Sequence, residues 1–299
     1  MGRERCSWLS LALGVLGCLT LESLGCPTAV HAASPVWAIH GDHNTVYLAG
    51  SVHLLKANDA ALPAGFERAY AGSRTLVMEL DLGKVDTAEA ASWMMEHGTL
   101  PEGTTLRKTI GEERYRRVST EAGRLGLPVE LIDQYAPWVL GLQLMELQYA
   151  QLGFDPQSGV EEQLQHRAQS DGKSTTGLET LPQQLGLFEA LSLEQQAKFL
   201  DLIVTEMHDV GSDTQAVIAA WRVGDAAKLA ALLGDEYKSF PLLYRALVSD
   251  RNKRWVPQIE RLLKEKDNYF VVVGALHLVG EGGLLELMRR DGFKAEQLN

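Results

Sequence analysis

The chain has 299 residues, 45% of them hydrophobic and 22% charged, with a formal net charge of -11. That length holds one large domain or two modest ones with ample core, and the composition is that of an ordinary globular protein. The negative balance argues against nucleic acid and an anionic membrane surface as main partners; it suits a cationic ligand or a metal ion, and equally serves plain solubility.

Arg3 and Arg5 form a basic start, Trp8 to Thr20 is mostly apolar, and Ala29-Val-His31-Ala32 ends in small residues. The pattern predicts a signal peptide over residues 1–32 and a mature domain over residues 33–299 of an exported, periplasmic or secreted protein. The apolar run is too short and interrupted to make a good membrane span. Val15-Leu-Gly-Cys18 loosely resembles a lipobox, so lipid attachment at Cys18 is the competing expectation. All three cysteines (Cys6, Cys18, Cys26) fall in this segment. The mature domain then has no disulfide and no thiolate, and any metal site in it must use His and carboxylates.

Val36–Ile39 and Val46–Ala49 read as strands joined by the turn Gly41-Asp-His-Asn44. Pro63 starts a helix. Arg74 to Asp81 is another strand, with Glu79 near its end. Thr87 to Leu125 is helical with a break at Gly98–Gly103, Leu127 to Ile132 reads as a strand, and Pro137 to Leu152 and Val160 to Ser170 are helices. Lys173–Leu178 is a short strand followed at once by Glu179. Helices follow over Pro182–Ala190, Leu193–Val210, Thr214–Trp221 and Ala226–Leu233; another opens at Ser249, putting Arg251 and Asn252 near its start and Pro257 inside it. Tyr269–Val273, apolar without alternation, reads as a strand buried on both faces. Leu284–Arg290 is helical, and Phe293–Leu298 is an edge strand. The expected fold is α/β: a central mixed β-sheet with surrounding helices and a mostly helical middle insertion.

Two strands end alike, in Gly50-Ser-Val-His53 and Gly274-Ala-Leu-His277. Parallel strands bring their carboxyl ends to one edge, the usual place for ligands in such folds. His53, Glu79, Glu179 and His277 therefore converge, and two imidazoles with a carboxylate make a first shell for Mn, Co, Zn or Fe. Each residue also has a plainer reading. A His after a strand is commonly a loop residue bonded to backbone. Glu79 is costly in an apolar strand unless it faces solvent or meets Arg74. Glu179 serves either the site or the start of the helix at Pro182. Arg251 either pairs with Asp250 or a nearby Glu, or polarises a substrate carbonyl; Asn252 shares its setting.

The two G-x-x-H units resemble those of the TraB/PrgY/GumN family, which includes the Tiki proteases. Leu76-Val-Met-Glu79, Gly159-Val-Glu161, Gly177-Leu-Glu179-Thr-Leu-Pro-Gln-Gln184, Trp221-Arg-Val-Gly-Asp225, Asp250-Arg-Asn252 and Phe270–Gly292 add to the likeness, with Glu161 where members often have Asp. The resemblance implies an α/β fold related to the erythromycin-esterase-like and ChaN-like proteins. Through Tiki it implies metal-dependent peptide cleavage, with Mn or Co ahead of Zn. His53, Glu79 and His277 would be metal residues, and Glu79, Glu179, Arg251 and Asn252 catalytic ones. Through PrgY it implies peptide binding or sequestration instead. The ChaN relationship adds haem or iron held by the His pair as a third expectation. A peptide or polypeptide is the expected partner on each of the first two.

Overall fold

The computed structural model describes residues 33–236 and 241–299. The predicted signal segment and its lipid-attachment alternative at Cys18 lie outside them. Among the described residues no helix is long and apolar enough to cross a membrane.

Six strands form one mixed sheet: β1 (Val36–His40), β2 (Thr45–Ser51), β3 (Thr75–Met78), β4 (Ser174–Gly177), β5 (Tyr269–Gly274) and β6 (Ala295–Gln297), in the spatial order β4-β3-β5-β2-β1-β6. β1 and β2 make the predicted antiparallel hairpin, and β6 is the predicted edge strand, antiparallel to β1. β4, β3, β5 and β2 run parallel, in a register that sets Ser51 beside Gly274, and Met78 beside Val272 and Gly177. Their carboxyl ends share one edge. β5 is central to this block, and its Phe270 to Val273 are fully buried, which is why the run shows no polar alternation.

Helices pack around the sheet. The first is α1 (Ala64–Ala71), where Pro63 is the N-cap, and it brings Phe66 against Trp221 and Phe270 with ring centroids 5.8 and 5.9 Å apart. Between β3 and β4 lie α2 (Thr87–His97), α3 (Leu106–Ile110), α4 (Glu112–Arg124), α5 (Val129–Ile132), α6 (Pro137–Gln151) and α7 (Val160–Asp171). Between β4 and β5 lie α8 (Leu181–Glu189), α9 (Leu193–Glu206), α10 (Val210–Arg222), α11 (Ala226–Glu236), α12 (Pro241–Tyr244) and α13 (Asp250–Leu262); α14 (Ala275–Leu278) and α15 (Leu284–Arg290) lie between β5 and β6. Part of the helical middle has a core of its own, in which Leu106, Val118, Leu140, Leu144 and Leu200 pack without any strand residue.

One expectation needs correction. Leu127–Ile132 contains the single helical turn α5, not a strand. Pro128, with its fixed φ, opens the turn, and burying Ile132 while leaving Leu131 45% exposed suits one helical face. Arg251 and Asn252 stand near the start of α13, as expected. A wide π turn over Arg245–Ser249 joins α12 to α13, so both residues follow a π segment directly, and α13 runs on through Pro257. Such segments recur at functional sites.

Candidate functional site

The carboxyl edge gathers all six residues expected there. Five are buried: Glu79, Glu179, Arg251, Asn252 and His277. His53 is the exception, with its side chain 64% exposed.

The glycines of the two G-x-x-H units explain how the two ends of the chain interlock. Neither glycine has positive φ, so tight turning is not their role. A Cβ on Gly50 would stand 3.1 Å from the Cα of Ala275, the first residue of α14. One on Gly274 would stand 3.1 Å from His53 Nε2 and 3.4 Å from Glu79 Oε1. Each motif's glycine makes room for the other motif. Gly274→Ala is therefore expected to displace His53, whose exposed ring can yield, while costing about 1 kcal/mol or less of stability, well below a true core overpacking. A shifted His53 resonance in a histidine-labelled spectrum, with a urea midpoint lowered by no more than about 1 M, would bear this out; an unmoved ring would refute it.

Arg251 is the hub. Its Nε and one terminal nitrogen donate to Glu179 at 3.3 and 2.5 Å, and that same nitrogen donates to Glu79 Oε2 at 2.5 Å. The other terminal nitrogen donates to the Leu247 carbonyl at 3.0 Å and to His277 Nε2 at 2.9 Å. All five guanidinium N–H groups are thereby engaged. The ion pairs answer the plainer readings in turn. Glu79 meets Arg251, while Arg74 pairs with Asp267. Thr180, not Glu179, caps α8. Asp250 pairs with Arg245 and Lys253, and Arg251 takes the other structural alternative, a pair with nearby glutamates, Glu79 and Glu179.

Asn252 fixes His277. Its Nδ2 donates to the carbonyls of His277 and Gly282 at 3.1 and 2.9 Å, so its Oδ1 is the acceptor that faces His277 Nδ1 at 2.8 Å. His277 therefore carries its proton on Nδ1 and accepts from Arg251 through Nε2. Trp255 packs against this imidazole with centroids 4.5 Å apart. Burial holds His277 down to about 3, and the Arg251 charge works in the same direction. Burial would raise Glu79, yet His277, Arg251, His53 and the Gly274 N–H outweigh it and hold that carboxyl down to about 2. Glu179 is raised by burial, which its bonds to Arg251 only partly reverse.

The sign of the His277 shift gives a pH prediction. With the folded value near 3 and the ordinary one at 6.5, the unfolded chain takes up this proton first as pH falls. Stability from neutral His277 is thus present above 6.5 and lost as pH drops towards 3. Between about pH 6.5 and about pH 4.5 that loss should reach roughly 2 kcal/mol. Urea unfolding of wild type against His277→Gln checks it: the variant should lack this slope, and equal slopes would count against the assigned protonation.

His53 is built differently. Its Nδ1 lies 2.7 Å from Glu161 Oε1, and Ser51 Oγ donates to the same oxygen. Glu161 sits in the first turn of α7, which the backbone bond from Val160 N to the Val52 carbonyl, 3.1 Å, ties to the His53 loop. A Cβ on Gly159 would overlap the His53 carbonyl oxygen. The Glu161 charge raises the His53 imidazole, to about 9, although water on its exposed side screens part of that attraction. His53 lowers Glu161 in return, against the effect of burial. Glu79 is further held by Gly274 N at 2.7 Å and by Gln184 Nε2 at 3.1 Å. Glu161, Ser51 and Gln184 were not among the expected site residues. Glu161 and Gln184 stand in segments that carried the family resemblance, but only the fold brings them to His53 and Glu79.

The fit to a divalent ion is partial. Nitrogen and oxygen donors are the right kind, and the space that Gly274 leaves lies against both His53 Nε2 and Glu79 Oε1. His277 Nε2 is 3.8 Å from that oxygen, but its lone pair already accepts from Arg251. Among the described residues no group of three or more His, Cys, Asp or Glu is placed to hold a metal ion. A cavity of about 190 Å³ opens beside His53 and Glu79, with Glu161 and Gln184 in its wall.

Residues 35–297 match the profile of the TraB/PrgY/gumN family. The chain is similar to YbaP of Escherichia coli (strain K12) and YbaP of Shigella flexneri, both described as uncharacterized; each is 25% identical over 243 residues, 81% of this chain and 87% of its own. It is also similar to an uncharacterized protein of Treponema pallidum (strain Nichols), 24% identical over 307 residues, 94% of this chain and 88% of the other. No solved structure matches the chain. With the profile running from β1 to the end of β6, the chain belongs to the TraB/PrgY/gumN family.

Proposed function

We propose that the protein is an exported hydrolase of peptides, centred on His53 and Glu79. One observation carries this: of the two histidines, His53 keeps a ring nitrogen without a partner among the described residues, beside the cavity, with a carboxylate behind the other nitrogen. A carboxylate-backed imidazole with one open nitrogen is suited to move a proton or to hold a metal. Glu161 orients the ring and stabilises its charged form. Arg251, Gln184 and the Gly274 amide hold Glu79 ionised and aimed at the same space. With the proton that Glu161 favours on the ring given up, His53 Nε2 would hold a divalent ion together with Glu79 Oε1, Mn or Co by the family likeness; such an ion, when bound, polarises a carbonyl and lowers the pKa of its water. His277 would join them only if Arg251 gave up its bond. Arg251 itself would need to release a donor before it could steady an oxyanion.

That full engagement of Arg251 favours a second reading, a peptide-binding protein that sequesters without cleaving. One experiment separates the two: metal content of the purified protein by elemental analysis, then incubation with a peptide library, with and without added Mn or Co, read by mass spectrometry. Cleavage supports the hydrolase; retention of peptides without cleavage under every metal condition supports the binder and overturns the hydrolase. A mature chain beginning at Ala33, read from its intact mass, tests export with signal cleavage.

A further inference from the structure

The cavity beside His53 has walls of two kinds. Met78, Leu80 and Leu82, at every second position along the end of β3 and the segment after it, line it together with Pro156. Glu79, between the first two, also reaches the wall while bonded to Arg251 and Gly274. Leu80 is half-buried yet belongs to none of the three apolar cores among the described residues. Its apolar surface is presented to the cavity rather than spent on packing.

The other kind is acidic. Two carboxylates of the site have close cationic partners, Glu79 with Arg251 and Glu161 with His53. Among the described residues Glu162, on the cavity wall and 30% exposed, pairs only with His166 at 3.8 Å, and that ring is itself 63% exposed. The space, about 190 Å³, is smaller than the roughly 300–1,000 Å³ that encloses a drug-sized ligand. It suits one side chain.

We propose that this cavity is a subsite for one apolar side chain of a peptide, with an ammonium group next to that residue met by Glu162. The inference rests on the peptide reading of the site and narrows it to segments that are apolar and cationic together. The chain's net charge of -11 favours the approach of such peptides.

The test reads binding directly. The full chain is labelled with ¹³C-methyl methionine, and the Met78 signal is assigned by its loss in Met78→Ile. Leucinamide, N-acetyl-leucinamide and glycinamide are titrated in turn. Leucinamide should move the Met78 methyl saturably; glycinamide, lacking the side chain, should not. N-acetylation should weaken binding about tenfold, the size expected for one charge-assisted hydrogen bond, and Glu162→Gln should erase that difference. Leu82→Asp should abolish the Met78 response while backbone spectra stay folded. Equal responses to leucinamide and glycinamide, or no Met78 response to any probe, would overturn the subsite; N-acetyl-leucinamide binding as tightly as leucinamide would overturn the role of Glu162. Leucinamide binding in a chain that cleaves no peptide would remove the hydrolase and leave the subsite. Cleavage indifferent to apolar residues would do the reverse.

Discussion

Arg251→Met should be the most destabilising single substitution at this site, with a loss of roughly 3–5 kcal/mol, the cost of stranding buried charge. Glu79 and Glu179 are 6% and 9% exposed, and Arg251 is the basic residue that pairs with both. Met fills much of the volume but leaves two carboxylates facing a vacated, water-poor space, and His277 Nε2 loses its donor as well. Against a usual total of about 5–15 kcal/mol, the variant should unfold at far lower urea, or fail to accumulate. Arg251→Lys should recover little, since a single ammonium cannot make two bonds to Glu179 and still reach Glu79 and His277. The decisive companion is the triple variant with Glu79→Gln and Glu179→Gln, which removes the stranded charge. It should regain much of the lost stability, as neutral replacements of buried ion clusters often do. Urea midpoints of the three variants decide it: an Arg251→Met chain within about 1 kcal/mol of wild type would mean the carboxylates find other partners or protons.

The same cluster marks where the sequence is legible and where it is not. β5 could be read because a strand covered on both faces must be continuously apolar, and Phe270 to Val273 are. The hairpin could be read from its turn, and the edge position of β6 from its short, polar composition. His53 and His277 could be placed together because parallel strands end on one side, a matter of topology rather than of side-chain detail. Sequence could not decide what holds them. Arg251 could be placed near a helix start, but the π turn before α13 has no signature in residue type. Glu161 is one of two adjacent acids in the first turn of a helix, where acids are common for reasons of the helix dipole alone. Both Glu161 and Glu162 line the cavity, and only the bond between the α7 start and the His53 loop sets Glu161 rather than Glu162 on the imidazole. The short run Val129–Ile132 failed for a related reason: four residues carry too little periodicity to tell a turn of helix from a strand.

His53→Ala should abolish peptide turnover, or metal retention where an ion is present, with little loss of stability. The ring is mostly exposed and its one strong partner is Glu161, so truncation leaves the sheet and the Arg251 cluster intact. A positioned acid–base group contributes typically 10²–10⁴-fold, and this is the expected loss. Glu161→Gln should act more weakly and in a different way. Gln can still meet Nδ1 and Ser51, but it removes the negative charge that raises the imidazole. The His53 pKa should then fall from about 9 towards its ordinary 6.5, visible as a lower midpoint in its NMR titration. Activity or metal affinity should drop about 10–100-fold, the usual cost of losing a carboxylate behind a functional imidazole. Ser51→Ala, which leaves the charge in place, should shift neither by a comparable amount. A His53→Ala chain as active as wild type would end the proposed chemistry whatever the other variants do. Loss of activity in Glu161→Gln without a change in the titration would assign Glu161 to geometry alone.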